Sequence, residues 1–250
     1  MKPNICVLIT DGTNCDTETA FAFQKAGGKV KTIHINQLRS GQKSLRDFQI
    51  ITLPGGFSYG DDIVSGKIQA IEMISFLSEQ LREFIKKKGL IVGICNGFQI
   101  LVRTGLLPFG VQRLGKMDAT LTHNESGKFQ CHPITMRVEK TSCIFTQGME
   151  GKTIELPMAH GEGRFFAEPP AMERLHSNNL VVLRYTDNPN GSLEDIAGIT
   201  DPSGHILGLM PHPERAVRPE LNANWRRGNT FPDGLAFFQN AVAYATKNLS

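Results

Sequence analysis

Short apolar runs that alternate with helical patterns constrain the fold of this chain more than any other feature of its sequence. The runs are rich in β-branched residues and bounded by turn residues, as is typical of strands. They occupy residues 5–10, 30–35, 48–53 and 90–94. Between them, helical periodicity covers 17–26, after a capping Asp16, and 68–84, before Gly89. The alternation predicts βαβ units, and the almost continuous hydrophobicity of the first and last runs favours a parallel sheet covered on both faces.

The second half of the chain is dominated by short strand-like runs broken by Gly, Pro and Asn. These runs are residues 135–138, 180–185, 196–200 and 205–210. A helical pattern returns over 234–246, and neither an internal repeat nor a long linker divides the chain. We therefore predict a single α/β domain over residues 1–250, with a central mixed, mostly parallel sheet flanked by helices. Ligands are expected at the carboxyl ends of its strands.

The composition argues against several classes of function. The 27 basic and 24 acidic residues leave a formal charge of +3 without a basic stripe, so no nucleic-acid partner is indicated. No apolar run approaches the roughly 20 residues of a membrane span, and the N-terminus has no cleavable signal. The five cysteines are odd in number and include no C-x-x-C pair, which argues against a disulfide framework or a common zinc site. We predict a cytoplasmic protein with no membrane partner and no metal.

The sharpest chemical signal is a cysteine between two glycines at a predicted junction of strand and helix. In the sequence Gly93-Ile94-Cys95-Asn96-Gly97, the glycines leave room for a strained turn that presents the Cys95 thiol, as in a nucleophile elbow. A helix N-terminus behind the sulfur favours the thiolate, and the backbone N–H of Asn96 would face a tetrahedral oxyanion. The alternative interpretation is a buried, inert cysteine.

A histidine and a glutamate two residues apart form the second signal. Residues at this spacing in an extended chain face the same side, so Glu214 can orient one ring nitrogen of His212 while the other addresses the Cys95 thiol. A histidine near a glutamate is often incidental. The presence of Cys95 is what favours a triad in which Cys95 is the nucleophile, His212 the base and Glu214 the orienting group. Five other histidines lack such a partner and are interpreted as structural. They are His34, His123, His132, His176 and His205.

Adjacent glycines after the third predicted strand form the third signal. Gly55 and Gly56 allow backbone N–H groups to approach a bound carbonyl closely, as an oxyanion hole requires. A phosphate cradle is the alternative, but the segment lacks the Lys-Ser/Thr of a P-loop and the spacing of a dinucleotide fingerprint. We therefore expect no nucleotide site in this chain.

Taken in order, these segments resemble the class I (triad) glutamine amidotransferases, and in particular the glutaminase subunits of phosphoribosylformylglycinamidine synthases. The matching segments are GTNCD from Gly12, PGGFSYGDD from Pro54, GICNGFQIL from Gly93, AHGEGRF from Ala159, DIAGI from Asp195 and GLMPHPERA from Gly208. The resemblance implies a flavodoxin-like fold in which Cys95 attacks the side-chain amide carbon of glutamine. His212 would then pass the proton to the departing ammonia, and Glu214 would orient His212.

The resemblance also implies further site residues and partners. Gln99, one helical turn past the nucleophile, would face the amino-acid part of glutamine. The residues expected at the oxyanion or the substrate are Gly55, Gly56, Asn96, Gln99, His160, Gly161 and Glu162. The implied partners are a large ATP-dependent synthase subunit, which would hold ATP and magnesium, and a small bridging subunit of purine biosynthesis. We expect no cofactor in this chain and little glutaminase activity in isolation.

Some alternatives stay open from the sequence. A class I amidotransferase subunit could serve another acceptor, a thiol peptidase could share the fold, or the chain could be a non-catalytic scaffold. Residues 218–232 extend the region after the His212 motif, and Trp225 beside two arginines fits either a partner-contact loop or a solvated loop. The polar segment 123–132 contains His and Cys, but its spacing matches no standard metal site.

Overall fold

The structure, a computed structural model, describes residues 1–222, 225–228 and 233–249. Its strands are β1 (Asn4–Ile9), β2 (Lys29–His34), β3 (Ile50–Leu53), β4 (Leu90–Ile94), β5 (Thr120–Thr122), β6 (Gln130–Val138), β7 (Thr153–His160), β8 (Arg164–Phe166), β9 (Val181–Tyr185), β10 (Ile196–Thr200) and β11 (Ile206–Leu209). Its α-helices are α1 (Asp16–Lys25), α2 (Ile35–Arg39), α3 (Lys67–Lys86), α4 (Asn96–Arg103), α5 (Pro169–Ser177) and α6 (Leu235–Asn248).

One nine-stranded sheet runs through the domain in the order β2-β1-β3-β4-β11-β10-β9-β6-β7. The strands from β2 to β11 in this order are parallel. Every pairing from β11 to β7 is antiparallel. Strands β5 and β8 form a separate antiparallel pair. The predicted α/β domain with a mixed sheet and βαβ units is confirmed. Its parallel half consists of β2, β1, β3 and β4 from the first part of the chain and of β11, the last strand.

The topology brings several strand ends to one edge of the sheet. Strands β1, β3, β4 and β11 are parallel, so the loops that carry Cys15, Gly55, Cys95 and His212 leave the sheet on the same side. The four antiparallel pairings between β11 and β7 give β7 the same direction as β11. The last residue of β7, His160, therefore reaches this edge too. An edge of this kind is where open α/β sheets bind ligands.

Some element boundaries differ from the predictions. Asp16 is predicted to cap α1, but Cys15 occupies the N-cap position and Asp16 is the first helical residue. Ile35, expected in the second strand, begins α2, because the His34 side chain caps that helix by accepting the N–H of Asn36. No side chain caps the N-terminus of α1, so only the second difference has a side-chain cap as its cause.

Strand β7 has no counterpart among the predicted strands. It pairs along its length with β6, which begins at Gln130 rather than at residue 135, and Pro133 lies opposite Pro157 in this pairing. Proline cannot donate to a sheet ladder and argues against a strand when it is read in sequence. Because each of these two strands contains a proline, the sequence did not predict β7, the strand that ends at the ligand edge.

The helices bury apolar faces against the sheet and against one another. Phe23 of α1 and Phe238 of α6 meet edge to face with ring centroids 4.8 Å apart. Helix α3 buries Leu77, Leu81 and Phe84 of the apolar series that predicted the helix, whereas Ile71 of that series is exposed and Met73 is buried instead. No helix of the described residues has the length and apolar character needed to cross a bilayer.

Glycine at position 97 is required by the close approach of α4 to β3. A Cβ atom there would lie 1.9 Å from the carbonyl oxygen of Leu53, which is backbone and cannot rotate away. We expect Gly97→Ala to lower the free energy of unfolding by about 4 kcal/mol or more, among the largest single-substitution effects. Denaturant unfolding of the purified chain measures this change.

Gly41→Ala is the matched comparison for Gly97→Ala. Gly41 has a φ of +75° with no atom within 4 Å of a Cβ, so the substitution meets backbone strain but no clash. Its cost should be about 1 kcal/mol. Equal losses in the two variants would show that the packing of α4 on β3 is not what requires glycine at position 97.

Candidate active site

A cavity opens at the edge where the carboxyl ends of the strands meet. Seven of the ten predicted site residues line it, namely Gly56, Cys95, Gln99, His160, Gly161, Glu162 and His212. The other three lie directly behind the lining residues. A Cβ atom on Gly55 would meet His212 and Cys95, Asn96 bonds to Gln99, and Glu214 bonds to His212. The structure therefore brings all ten predicted residues together.

Cys95 occupies the junction of β4 and α4 in a backbone conformation that L residues rarely adopt, with a φ of 52° and a ψ of −107°. Its N–H donates to the carbonyl of Leu209 on the neighbouring strand at 2.8 Å, which holds the turn in place. The flanking glycines are packed closely, since a Cβ on Gly93 would lie 2.4 Å from the carbonyl oxygen of Gly97. The Cys95 thiol lies at the N-terminus of α4, where the helix dipole favours an anion.

His212 and Glu214 form a buried pair after β11. Nδ1 of His212 donates to Oε1 of Glu214 at 2.6 Å, and both side chains are almost completely buried. Nε2 of His212 has no hydrogen-bond partner among the described residues. Burial alone lowers the pKa of His212, but Glu214, Cys95 and Cys15 outweigh it and raise that pKa well above its ordinary value. The imidazole is therefore oriented by the carboxylate and stabilised as a cation beside the Cys95 sulfur.

The three side chains nearest the reacting position converge on Gly55. A Cβ atom on Gly55 would lie 2.9 Å from Cε1 of His212, 3.1 Å from Sγ of Cys15 and 3.5 Å from Cβ of Cys95. The absence of a side chain at position 55 is thus what allows the histidine and the two cysteines to share one space. This requirement is steric and needs no unusual backbone angle.

A methyl group at Gly55 should displace the imidazole from the thiol. We expect Gly55→Ala to lower the kcat of the glutamine hydrolysis that the resemblance implies roughly 10²-fold, the order of loss that follows a 1 Å misplacement of a reacting group. Glutamate release in the presence of the implied synthase subunits measures it. Gly41→Ala is the control, because residue 41 does not line the cavity and a Cβ there meets no atom within 4 Å, so the substitution adds backbone strain alone. An unchanged kcat in Gly55→Ala would contradict this account of the convergence.

The side chain of Asn96 ties the loop after β3 to the nucleophile elbow. Its Oδ1 accepts the N–H of Ser58 at 3.2 Å, and its Nδ2 donates to Asp61 at 3.1 Å and to Gln99 at 3.0 Å. Nε2 of Gln99 donates in turn to the carbonyl of Glu162 at 2.6 Å. Hydrogen bonds therefore connect the loop after β3 and the nucleophile elbow, which carry the predicted oxyanion donors, to the predicted substrate residues Gln99 and Glu162.

Gly56 lies where only glycine fits. Its φ is +140°, and a Cβ would be 2.7 Å from the backbone nitrogen of Asn14 and 3.0 Å from the carbonyl oxygen of Gly12. The loops after β1 and β3 consequently pack backbone against backbone, next to the cavity. This is the close approach that the paired glycines of the sequence indicate.

Eight of the fifteen residues that line the cavity were not predicted as site residues, and Cys15 and Arg215 are two of them. Nη2 of Arg215 donates to Sγ of Cys15 at 3.0 Å and to Glu18 at 3.3 Å, and both Cys15 and Arg215 line the cavity. Burial raises the pKa of the Cys15 thiol, although His212 and Arg215 oppose the shift. The only signal for Cys15 was its place in the GTNCD segment.

Ligand atoms of Cys15, His212 and Glu214 lie within 4.8 Å of one another, and they are the one such group of three among the described residues. A metal ion would need a free donor from each. Sγ of Cys15 already accepts a hydrogen bond from the cationic guanidinium of Arg215 at 3.0 Å, and Oε1 of Glu214 accepts the Nδ1 proton of His212, so hydrogen bonds account for this grouping.

Four of the five histidines interpreted as structural have local partners. His34 caps α2, His176 pairs with Glu194 at 3.0 Å, His205 bonds to the Tyr244 hydroxyl at 2.7 Å, and His132 contacts Gln130 at 3.2 Å. None of these four lines the cavity. His123 is exposed and lies 3.9 Å from Glu162, at the margin of the site.

The extension over residues 218–232 is described only in part, because residues 223, 224 and 229–232 lie outside the described residues. The guanidinium of Arg218 lies over the ring of Phe21 at 4.2 Å. Trp225 is 38% exposed, with Arg226 5.4 Å from its ring. The choice between a partner-contact loop and a solvated loop stays a prediction.

A nucleophile elbow, an oriented imidazole and packed glycine loops on an α/β sheet define the class of triad glutamine amidotransferases. The model of the CobB/CobQ-like glutamine amidotransferase domain matches residues 2–245. The chain belongs to this family and, within it, to the PurQ subunits of phosphoribosylformylglycinamidine synthase.

Both sequences and solved structures support this assignment. The chain is 44% identical to the PurQ subunit of Dehalococcoides mccartyi, with 98% of each chain covered. It is 39% identical to the PurQ subunit of Methanococcus maripaludis strain C7, again over 98% of each chain. It also resembles a chain of the PurLQS structure from Thermotoga maritima, with 36% identity, a TM-score of 0.79 and coverage of 98% of this chain and 99% of that one.

Proposed function

We propose that this chain is the glutaminase subunit of a phosphoribosylformylglycinamidine synthase, which hydrolyses glutamine and passes ammonia to an ATP-dependent synthase subunit. The observation that carries the proposal is the Cys95 elbow beside the His212–Glu214 pair. This site lies in a chain that matches PurQ relatives over nearly its full length. A scaffold that had lost catalysis would have no need to keep a strained cysteine next to an oriented histidine.

In the proposed reaction, the Cys95 thiolate attacks the side-chain amide carbon of glutamine and forms a tetrahedral oxyanion. Backbone N–H groups near Gly56 and Asn96 stabilise that charge. Nε2 of His212 carries the proton to the departing nitrogen, so that ammonia leaves and a thioester remains on Cys95. His212 then accepts a proton from water as the water attacks the thioester, which releases glutamate and restores the thiol. Glu214 keeps the proton of Nδ1 in place throughout.

The ammonia contributes to a synthetic reaction only if a second active site uses it before it is protonated or diffuses away. We propose that a large ATP-dependent subunit supplies that site and activates the amide oxygen of formylglycinamide ribonucleotide, with a small bridging subunit in the same complex. ATP and magnesium would bind to the large subunit. The cytoplasm is the proposed location, since all five cysteines are free thiols.

An omission series tests this function. The chain is mixed with a purified ATP-dependent synthase subunit, the small subunit, ATP, magnesium, glutamine and formylglycinamide ribonucleotide, and each component is left out in turn. We expect formylglycinamidine ribonucleotide only when both this chain and glutamine are present, and little glutamine hydrolysis by the chain alone. A synthase that responds to ammonium but never to this chain with glutamine would contradict the proposed acceptor.

A further inference from the structure

Cys15 is a second cysteine in the catalytic cavity, and the proposed reaction does not use it. It occupies the N-cap position of α1, where Ser, Thr, Asn and Asp are preferred because their side chains accept a backbone N–H of the first turn. The Cys15 side chain makes no such bond and lines the cavity instead. A residue that departs from the local capping preference at a ligand cavity points to a functional role.

The backbone of Cys15 is held from two sides. Its N–H donates to the carbonyl oxygen of Gly55, in the loop after β3, at 3.2 Å. Its carbonyl oxygen accepts the hydroxyl of Thr19 at 2.6 Å and the N–H of the same residue at 3.1 Å. The thiol therefore projects from a fixed point of the site.

The hydrogen bonds of the Cys15 thiol determine where its hydrogen points. The thiol donates to Oδ1 of Asn14 at 3.2 Å, and Nη2 of Arg215 donates to Sγ at 3.0 Å. A guanidinium can only donate, so the thiol hydrogen is directed at Asn14 and the sulfur presents its lone pairs elsewhere. Glu18 pairs with Arg215 at 3.3 Å and compensates the charge of the guanidinium. Burial raises the pKa of the Cys15 thiol, so the sulfur acts as a neutral acceptor.

The sulfur of Cys15 lies next to the His212–Glu214 pair. Sγ of Cys15, a ring nitrogen of His212 and a carboxylate oxygen of Glu214 lie within 4.8 Å of one another. A Cβ atom on Gly55 would be 2.9 Å from Cε1 of His212 and 3.1 Å from Sγ of Cys15, so the imidazole and the sulfur share one space. Because Nδ1 of His212 is committed to Glu214, the sulfur is a second support for a ring that is already held at one nitrogen.

The groups around His212 come from four parts of the fold. Burial lowers the pKa of His212, and Glu214 beyond β11, Cys95 at the elbow and Cys15 at the start of α1 outweigh it. His160 at the end of β7 adds no charge, since burial is the main cause that lowers its pKa to about 3. Among these groups, Cys15 is the neutral acceptor that favours the imidazolium, and its removal takes no charge from the site.

An imidazole held only at Nδ1 can still pivot about that hydrogen bond, which would move Nε2 away from the nucleophile. Resting on the proposed glutaminase function, we propose that Cys15 is a positioning residue for His212. Held by Arg215 and Asn14, its sulfur supports the edge of the imidazolium that the carboxylate of Glu214 leaves free. The ring therefore stays protonated and directed at the Cys95 thiol, as a reacting pair requires.

The pH profile of glutamine-dependent turnover by the reconstituted complex tests this role. We expect Cys15→Ala to lower kcat roughly 10-fold and to change the KM for glutamine less than about twofold, because Cys15 acts on the histidine and not on the substrate. Loss of the acceptor lowers the pKa of His212, so the imidazolium is lost at a lower pH. The basic limb of the profile should therefore move down by about one pH unit. Cys15→Ser, which keeps an acceptor, should recover most of both losses.

A measurement without turnover separates this role from a loss of structure. Nitrogen NMR of the histidine-labelled chain follows the protonation of His212, and a His212→Asn variant identifies its signals. Cys15→Ala should move this titration to lower pH. Cys131→Ala makes the same change at an exposed cysteine outside the cavity and should alter neither the titration nor the rates. The ammonium-dependent rate of the complex should be unchanged in both variants.

Arg215 acts through Cys15 in this account, so the losses from the two residues should overlap. We expect the kcat of the double variant Cys15→Ala, Arg215→Gln to lie within about twofold of that of the slower single variant. Losses that add, together with a raised KM for glutamine in Arg215→Gln, would overturn the part assigned to Arg215. They would place its guanidinium on the substrate instead.

Two results would overturn the role of Cys15 itself. One is a Cys15→Ala variant with the wild-type kcat and basic limb, and the other is a titration of His212 that this substitution does not move. A wild-type complex that forms no product from glutamine would instead refute the proposed function. The titration of His212 in the chain alone would still report on the contact with Cys15, so the two failures are distinguishable.

Discussion

Cys95→Ala should abolish glutamine-dependent formation of formylglycinamidine ribonucleotide by the reconstituted complex, while ammonium-dependent formation continues at the wild-type rate. Removal of the nucleophile leaves no route to a thioester, and comparable deletions in acyl-transfer enzymes cost about 10⁶ in kcat. We expect a loss on the order of 10⁴-fold or more, limited by background hydrolysis. The measurement is product formation with glutamine and, in parallel, with an ammonium salt.

Cys131→Ala is the matched control for this substitution. Cys131 is an exposed cysteine on β6 that does not line the cavity, so its removal should change neither rate. If Cys95→Ala retained glutamine-dependent product formation, the chain would act as a scaffold, and the catalytic role proposed for Cys95 would be wrong. A joint loss of the ammonium-dependent rate would instead indicate that the variant disrupts the complex.

Glu214→Gln should lower glutamine-dependent turnover roughly 10²- to 10⁴-fold with little change in the size of the side chain. The carboxylate of Glu214 can only accept, so it holds a proton on Nδ1 of His212 at 2.6 Å. A glutamine amide can donate to Nδ1 instead, which moves the ring proton to Nε2, next to the Cys95 thiol. The ring could then no longer accept the thiol proton. In serine proteases, the wrong histidine tautomer lowers kcat by about 10⁴.

The control for Glu214→Gln is the same change in a histidine–glutamate pair at the surface. Glu194 pairs with His176 at 3.0 Å, and both side chains are partly exposed. Glu194→Gln should leave turnover unchanged. Thermal unfolding of Glu214→Gln should show a folded protein, and a variant that is folded and fully active would refute the orienting role of Glu214.

The fold class and the central chemistry of this protein could be predicted from its sequence. Local periodicity marked the strands and helices of the first half, because a buried strand or an amphipathic helix must repeat apolar residues at its own period. The elbow at Cys95 was predictable for a similar reason. A turn in which a Cβ would strike backbone atoms has to show glycine, as it does at Gly93 and Gly97.

Other features of the fold and the site could not be predicted from local patterns in the sequence. Strand β7 was missed because Pro157 argues against a strand in the sequence, and its position opposite Pro133 exists only once β6 and β7 pair. Cys15 and Arg215 lie in segments that carry the family resemblance, but nothing near either residue indicates their contact, which joins positions 200 apart. The bonds of Asn124 to His160 and Gly163 likewise join residues more than 30 positions apart.

The sequence by itself determined which residue types are present, where the strand-to-helix turn lies and that the oxyanion loop must contain glycine. These properties depend on steric and hydrogen-bonding rules that act within a few residues of the chain. Only the tertiary structure decided that the ends of β1, β3, β4, β7 and β11 meet around one cavity, that Gly55 leaves space for His212 beside two thiols, and that Asn124 bonds to His160. Such features depend on distances between segments far apart in the chain, and those distances exist only after the sheet has formed.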